Sequence, residues 1–125
     1  MRNLRGLAGL MAAVMTVPCA AHHSMAMFDS RNPITLHGTV KELQWTNPHC
    51  FLQVLVPSAT GTAEWSIEMH SPAAMYHFGW RPGTFKRGDE VTVTLSPIKD
   101  GSHGGMLIYA TDATGKIFAT TKVRR

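Results

Sequence analysis

Seven histidines are spread over 125 residues, and two of them, His22 and His23, stand side by side just after an uncharged apolar segment. A cut between Ala21 and His22 would leave a histidine at the amino terminus. Its α-amino nitrogen and its imidazole could then chelate one metal ion together. One further imidazole completes the T-shaped copper arrangement called a histidine brace. A cut after Ala20 would instead give Ala21-His22-His23, which places a histidine third from the amine, a square-planar copper(II) chelate. Imidazole suits copper(II), and the thioethers of Met25 and Met27 suit copper(I). Zinc competes for any histidine cluster.

The segment before the histidines has the form of an export signal. Arg2 and Arg5 supply a positive start, Leu7 to Val17 an apolar run, and small residues lead on to Ala21. Cys19 and Ala21 fit the minus-three and minus-one positions, whereas a cut after Ala20 would put Pro18 at minus three. Thr16-Val17-Pro18 is a poor lipobox for a cut before Cys19. The expected organisation is a cleaved signal over 1–21, an arm over 22–33, a β domain over 34–120 and a basic tail over 121–125. The expected location is the periplasm or outside the cell. No later segment approaches the roughly 20 apolar residues of a membrane span, so no stable membrane insertion is expected after cleavage.

Cleavage would remove two arginines and no acid, taking the formal charge from +4 to +2. Lys122, Arg124 and Arg125 lie in the tail, so the body is near neutral and nucleic acid is not an expected partner. Loss of Cys19 would leave Cys50 alone, without an internal disulfide despite an oxidising destination.

The elements that must position these residues read as a small β protein. Ile34 to Trp45 is a strand whose inward phase changes: Ile34, Leu36, Gly38 and Val40 share one face, Leu43 and Trp45 the other. One inserted residue reconciles them, which predicts a β-bulge near Lys41–Glu42. Strands follow over His49 to Val56 and Ala63 to His70, with a loop over 57–62 between them. Ser71-Pro72 opens a short helix ending at Gly79. Glu90 to Ser96, Met106 to Thr111 and Lys116 to Thr120 are the remaining strands. Three strands, a helix and two strands is the order of an OB-fold, a small Greek-key barrel. The expected fold is therefore all-β with one short helix, an OB-like barrel of five to six strands. An SH3-like barrel or a sandwich is the alternative.

Face by face, Cys50, Leu52, Val54 and Val56 belong beside Trp65, Ile67 and Met69 in the core. Setting Val56 opposite Ala63 places Phe51 opposite Glu68 and His49 opposite His70, on the outer face that OB-folds use for ligands. A slip of two residues would put His49 opposite Glu68. The loop carrying Asn47-Pro48-His49 and the glycine-rich loop carrying His103 should share one pole. The candidate metal ligands are thus His22, His23, His49, Glu68, His70 and His103. Simpler roles stand beside these: His49 in a turn, His70 and His77 as polar surface, His37 exposed, His103 in a mobile loop. Met69, Met75 and Met106 are expected in the core, and Cys50 as an inert buried thiol.

The segments "HHSMAMFD", "GTVKELQWTNPH", "WSIEMHSP", "FGWRPGTFKRGDEVTV" and "KDGSHGG" resemble a family of small exported bacterial proteins classified only as a domain of unknown function. The resemblance spans nearly all of the chain after the signal. It implies a signal peptide followed by a compact β domain and no established activity. Its motif falls on His22, His23 and Ser24, on Asn47, Pro48 and His49, on Glu68, and on Gly79, Trp80, Gly88 and Asp89.

The leading functional expectation is an exported copper-binding protein in which Glu68 or His70 ligates the metal or orients His49. The competing one is a metal-free OB-like module that holds a protein, peptide or saccharide in the cell envelope through Trp45, Phe51 and the outer face of the second and third strands. An enzyme is the third reading: a copper brace could activate oxygen, but there is no extended substrate platform and no G-x-S-x-G, H-E-x-x-H or phosphate loop.

Overall fold

The computed structural model describes residues 25–121. The expected signal over 1–21 with its cleavage site, Cys19, His22, His23, Ser24 and the basic residues of the tail lie outside the described residues. Among the described residues, no helix is long and apolar enough to cross a membrane.

The chain forms a 3-10 turn (Met25–Met27), then β1 (Ile34–Gln44), β2 (Phe51–Ser58), β3 (Gly61–Glu68), α1 (Pro72–His77), β4 (Glu90–Pro97), β5 (Gly104–Asp112) and β6 (Ile117–Ala119). The strands lie in the order β3-β2-β1-β4-β5-β6, and a parallel β3–β5 pairing closes the first five into a barrel. Closure of this order, with a helix between β3 and β4, is the OB-like arrangement and not a two-sheet sandwich. β6 is the additional strand.

β1 can serve two neighbours because it bends. Its first half pairs with β4, from Ile34↔Leu95 to Thr39↔Glu90. Its second half pairs with β2, and the register shifts between Val40 and Glu42. Lys41 is therefore the inserted residue, which lets Val40 and Leu43 both face inward, as the phase change in the sequence requires. Gly38 sits at the crossing. A side chain there would run into the Leu55 carbonyl and Val54.

The core holds Leu52, Ile67, Met69, Met75, Trp80 and Leu95, none of them exposed. α1 starts as expected: the Ser71 hydroxyl accepts from the Ala74 amide at 3.3 Å and Pro72 takes the first turn. Gly79 adopts φ +95° beyond its end. The helix lowers Met75 into one mouth of the barrel. Beside it, the Trp80 indole donates to the Ala119 carbonyl at 2.9 Å, pinning β6.

Some expectations require correction. The loop expected over 57–62 is mostly strand, since β2 and β3 pair down to Ser58↔Gly61. Gly104 and Gly105, expected in a loop, begin β5 at the barrel seam. A Cβ on Gly105 would strike Leu95 and the Ser96 carbonyl, so glycine permits the close strand approach. Met106 is not a core residue. The register between β4 and β5 shifts between Thr94 and Leu95, so Ile108 is an extra residue, and Leu107 and Ala110 both point inward. Unbroken alternation from Ala110 would send Met106 inward; the bulge turns it outward.

A candidate metal centre at the mouth of the barrel

His49 lies in the β1–β2 connection, where the Asn47-Pro48 peptide is cis and the Thr46 hydroxyl donates to the His49 carbonyl at 2.8 Å. β2 and β3 keep the expected register up to Phe51↔Glu68. The next step is irregular. The Met69 amide donates to the Cys50 carbonyl and the Cys50 amide donates to the His70 carbonyl, both at 2.9 Å. Residues 69 and 70 together face Cys50, a bulge that takes His70 out of line with His49. The expected His49–His70 pairing is thereby lost, and the His70 ring packs on Phe78 with centroids 5.9 Å apart.

The partner of His49 is Glu68. Nδ1 of His49 lies 2.8 Å from Glu68 Oε1. His49 is two residues from Phe51 on the outer face, so it meets Glu68 diagonally across the two strands. Glu68 is 7% exposed, and a carboxylate so enclosed needs a partner to offset its lost hydration. With Nδ1 engaged by the carboxylate, the other nitrogen, Nε2, has no partner among the described residues. A carboxylate behind one nitrogen and a lone pair on the other is how histidines are held for metal coordination.

The other candidates are dispersed. His103 is exposed and stacks on Trp65, centroids 5.0 Å apart and planes 26° apart. Trp65 and Glu68 are three residues apart on β3, hence on opposite faces, so His103 and His49 do not meet. His77 packs on Phe78 as well. The His37 ring bonds the Thr92 hydroxyl at 2.8 Å, beside a cleft of about 720 Å³ lined also by Glu90 and Asp112. Among the described residues, no three His, Cys, Asp or Glu side chains gather closely enough to hold a metal ion. His49 and Glu68 need donors from elsewhere.

The described part of the arm is held on the barrel by main-chain bonds. The Lys99 amide donates to the Met27 carbonyl at 2.9 Å and the Asp29 amide to the Pro97 carbonyl at 2.8 Å. Phe28 bridges to Ile98 between them and is 5% exposed. The Asp29 carboxylate caps the following turn, accepting from the Asn32 side chain and the Arg31 amide. The Asn32 bond is the main cause that lowers its pKa. The arm is thus docked against the β4–β5 connection.

The other titrating features are structural. Burial raises the Cys50 pKa, which leaves the thiol protonated and unreactive. Asp100 and Asp112 lie below the ordinary aspartate value chiefly through the hydroxyls of Ser102 and Thr114, so they organise turns.

Sequence reasoning missed one residue of this neighbourhood. Met106 pairs with Glu68 across the seam, and only the bulge at Ile108, invisible in simple alternation, brings it to the outer face.

No curated protein and no solved structure matches the chain. A family model does, over residues 10–108, and its description is a family of unknown function, DUF6152. The chain belongs to that family.

Proposed function

We propose that this is an exported metal-binding protein, with copper as the favoured ion, located in the periplasm or outside the cell. His22 at a free amino terminus supplies its amine and imidazole, His23 adds a neighbouring imidazole, and His49 supplies Nε2. Glu68 orients His49 and is available as a further oxygen ligand. The observation that carries this reading is the 2.8 Å contact between His49 and the enclosed Glu68 carboxylate, which fixes one imidazole with a free nitrogen on the outer face.

Copper is favoured over zinc because an amine with imidazoles suits copper(II). His70 and His103, engaged with Phe78 and Trp65, are not needed in this ligand set.

The test is a copper(II) titration of the chain beginning at His22 against one carrying a single extra residue before it. Weaker binding and a changed copper spectrum in the extended chain support the terminal site. Equal affinity with an unchanged spectrum overturns it.

A second reading has its own observation. On the outer face, the Gln53 amide donates to Gln44 at 3.0 Å and to the Ser66 hydroxyl at 3.1 Å, beside half-buried Phe51. Such a polar ladder next to an aromatic ring would suit a peptide or saccharide in the envelope. Capture of that partner should survive loss of the histidines and weaken in Phe51→Ala.

A further inference from the structure

The cleft beside His37, of about 720 Å³, opens where separate segments of the barrel meet. One side is the β1–β4–β5 sheet, where His37 pairs with Thr92 and Thr92 with Thr111 in one row, and Thr39 pairs with Glu90 beside it. The β2–β3 hairpin contributes Leu55, Pro57 and Thr62, and the end of β5 contributes Asp112. Gly38 lets the hairpin come close, because a Cβ there would strike the Leu55 carbonyl. None of His49, Glu68, His70 and His103 lines this cleft. Its size falls in the range of about 300–1,000 Å³ typical of small-molecule sites.

The polar groups around the cleft have bonding capacity left over. His37 is held through Nδ1, 2.8 Å from the Thr92 hydroxyl, and its Nε2 has no partner among the described residues. The same is true of the Thr39, Thr62 and Thr111 hydroxyls and of the exposed Glu90 carboxylate. Asp112 gives Oδ1 to its own turn, accepting from the Thr114 hydroxyl at 2.6 Å and from the Thr114 and Lys116 amides. Two carboxylates and no lysine or arginine line the cleft, so it attracts a cation and repels an anion.

We propose that this cleft binds a small hydroxylated amine of the amino-sugar class. The Glu90 carboxylate takes the ammonium, and Asp112 adds to the negative field. The threonine hydroxyls and His37 Nε2 serve ligand hydroxyls, which both donate and accept as threonine does. Leu55 and Pro57 offer carbon surface to the skeleton. A metal ion suits the cleft less, since no three His, Cys, Asp or Glu side chains gather closely enough among the described residues. This inference shares no residue with the copper reading, and each can fail without the other.

The experiment follows amide shifts of the isotopically labelled chain from His22 onward, free of added metal, as glucosamine, glucose or glucuronate is added. The pH is one at which the amine is protonated, so the sugars share a ring and differ in charge. Glucosamine should give saturable shifts centred on His37, Thr39, Thr92 and Thr111. Glucose should bind more weakly by about threefold or more, the scale of an exposed ion pair, and glucuronate should not saturate. Glu90→Gln should weaken glucosamine binding by the same factor and leave glucose unchanged. Glu42→Gln, exposed on β1 and outside the cleft, should match wild type, and the same spectra show that each variant is folded. Absence of saturable shifts, shifts centred outside the cleft, or equal binding of the three sugars overturns the proposal. Unchanged glucosamine affinity in folded Glu90→Gln overturns it as well.

Discussion

His49 and Glu68 touch although neither is directly opposite the other: Phe51 faces Glu68 in the ladder, and the imidazole reaches across on the diagonal to place Nδ1 2.8 Å from the carboxylate. That offset couples the β1–β2 connection to the third strand through one side-chain bond. It also makes the glutamate, not the histidine, the more buried member.

His49→Ala would strand a largely buried carboxylate, and destabilisation by about 1–3 kcal/mol is expected. Glu68→Gln in the same background should recover part of the loss, because a neutral amide is cheaper to bury. Urea unfolding of the single and double variants measures both. Additive effects would deny the coupling.

Glycine at position 105 is set by space. A methyl group there meets Leu95 and the Ser96 carbonyl at the barrel seam, so Gly105→Ala should cost about 1–3 kcal/mol through forced displacement of packed strands. The midpoint of thermal or urea unfolding reads the effect, and an unaltered midpoint would show that the seam can widen.

The arm should loosen in acid. The Asp29 carboxylate accepts from the Asn32 side chain and from the Arg31 and Asn32 amides, and its pKa is lowered mainly by the Asn32 bond. A lowered carboxylate pKa means the support is present above the ordinary aspartate value and is lost as pH falls through the folded value. Amide exchange at Arg31 and Asn32, corrected for intrinsic rates, should quicken at that point. Asp29→Ala should show the fast behaviour at neutral pH already.

Much of this architecture is legible in the residues. The phase change between Val40 and Leu43 announces the bulge in β1, and Ser71-Pro72 with Gly79 frames the helix. Alternation in β2 and β3 fixes the register that sets Phe51 beside Glu68. What it does not disclose are irregularities that depend on a partner strand. The extra residue at Ile108 reverses Met106, and the bulge at Met69-His70 turns His70 toward Phe78. The first lies within β5 and the second just past the end of β3, in segments whose own sequence reads as regular. Stacking of His103 on Trp65 is likewise a tertiary event, because the loop folds back on a residue 38 positions earlier.

The thiol of Cys50 should resist alkylation in the native protein. It is fully buried, and burial raises its pKa, so little thiolate is present or accessible. Modification by iodoacetamide should follow unfolding, and rapid native labelling would show an open route to the interior of the barrel.

The most direct measurement is electron paramagnetic resonance of copper(II) bound to the chain that begins at His22, with nitrogen couplings resolved, in wild type and His49→Ala. Coordination shared between the terminus and the barrel predicts that one imidazole coupling disappears in the variant while the amine and His22 couplings remain. An identical nitrogen set in both proteins would contradict it, leaving any copper on the arm alone.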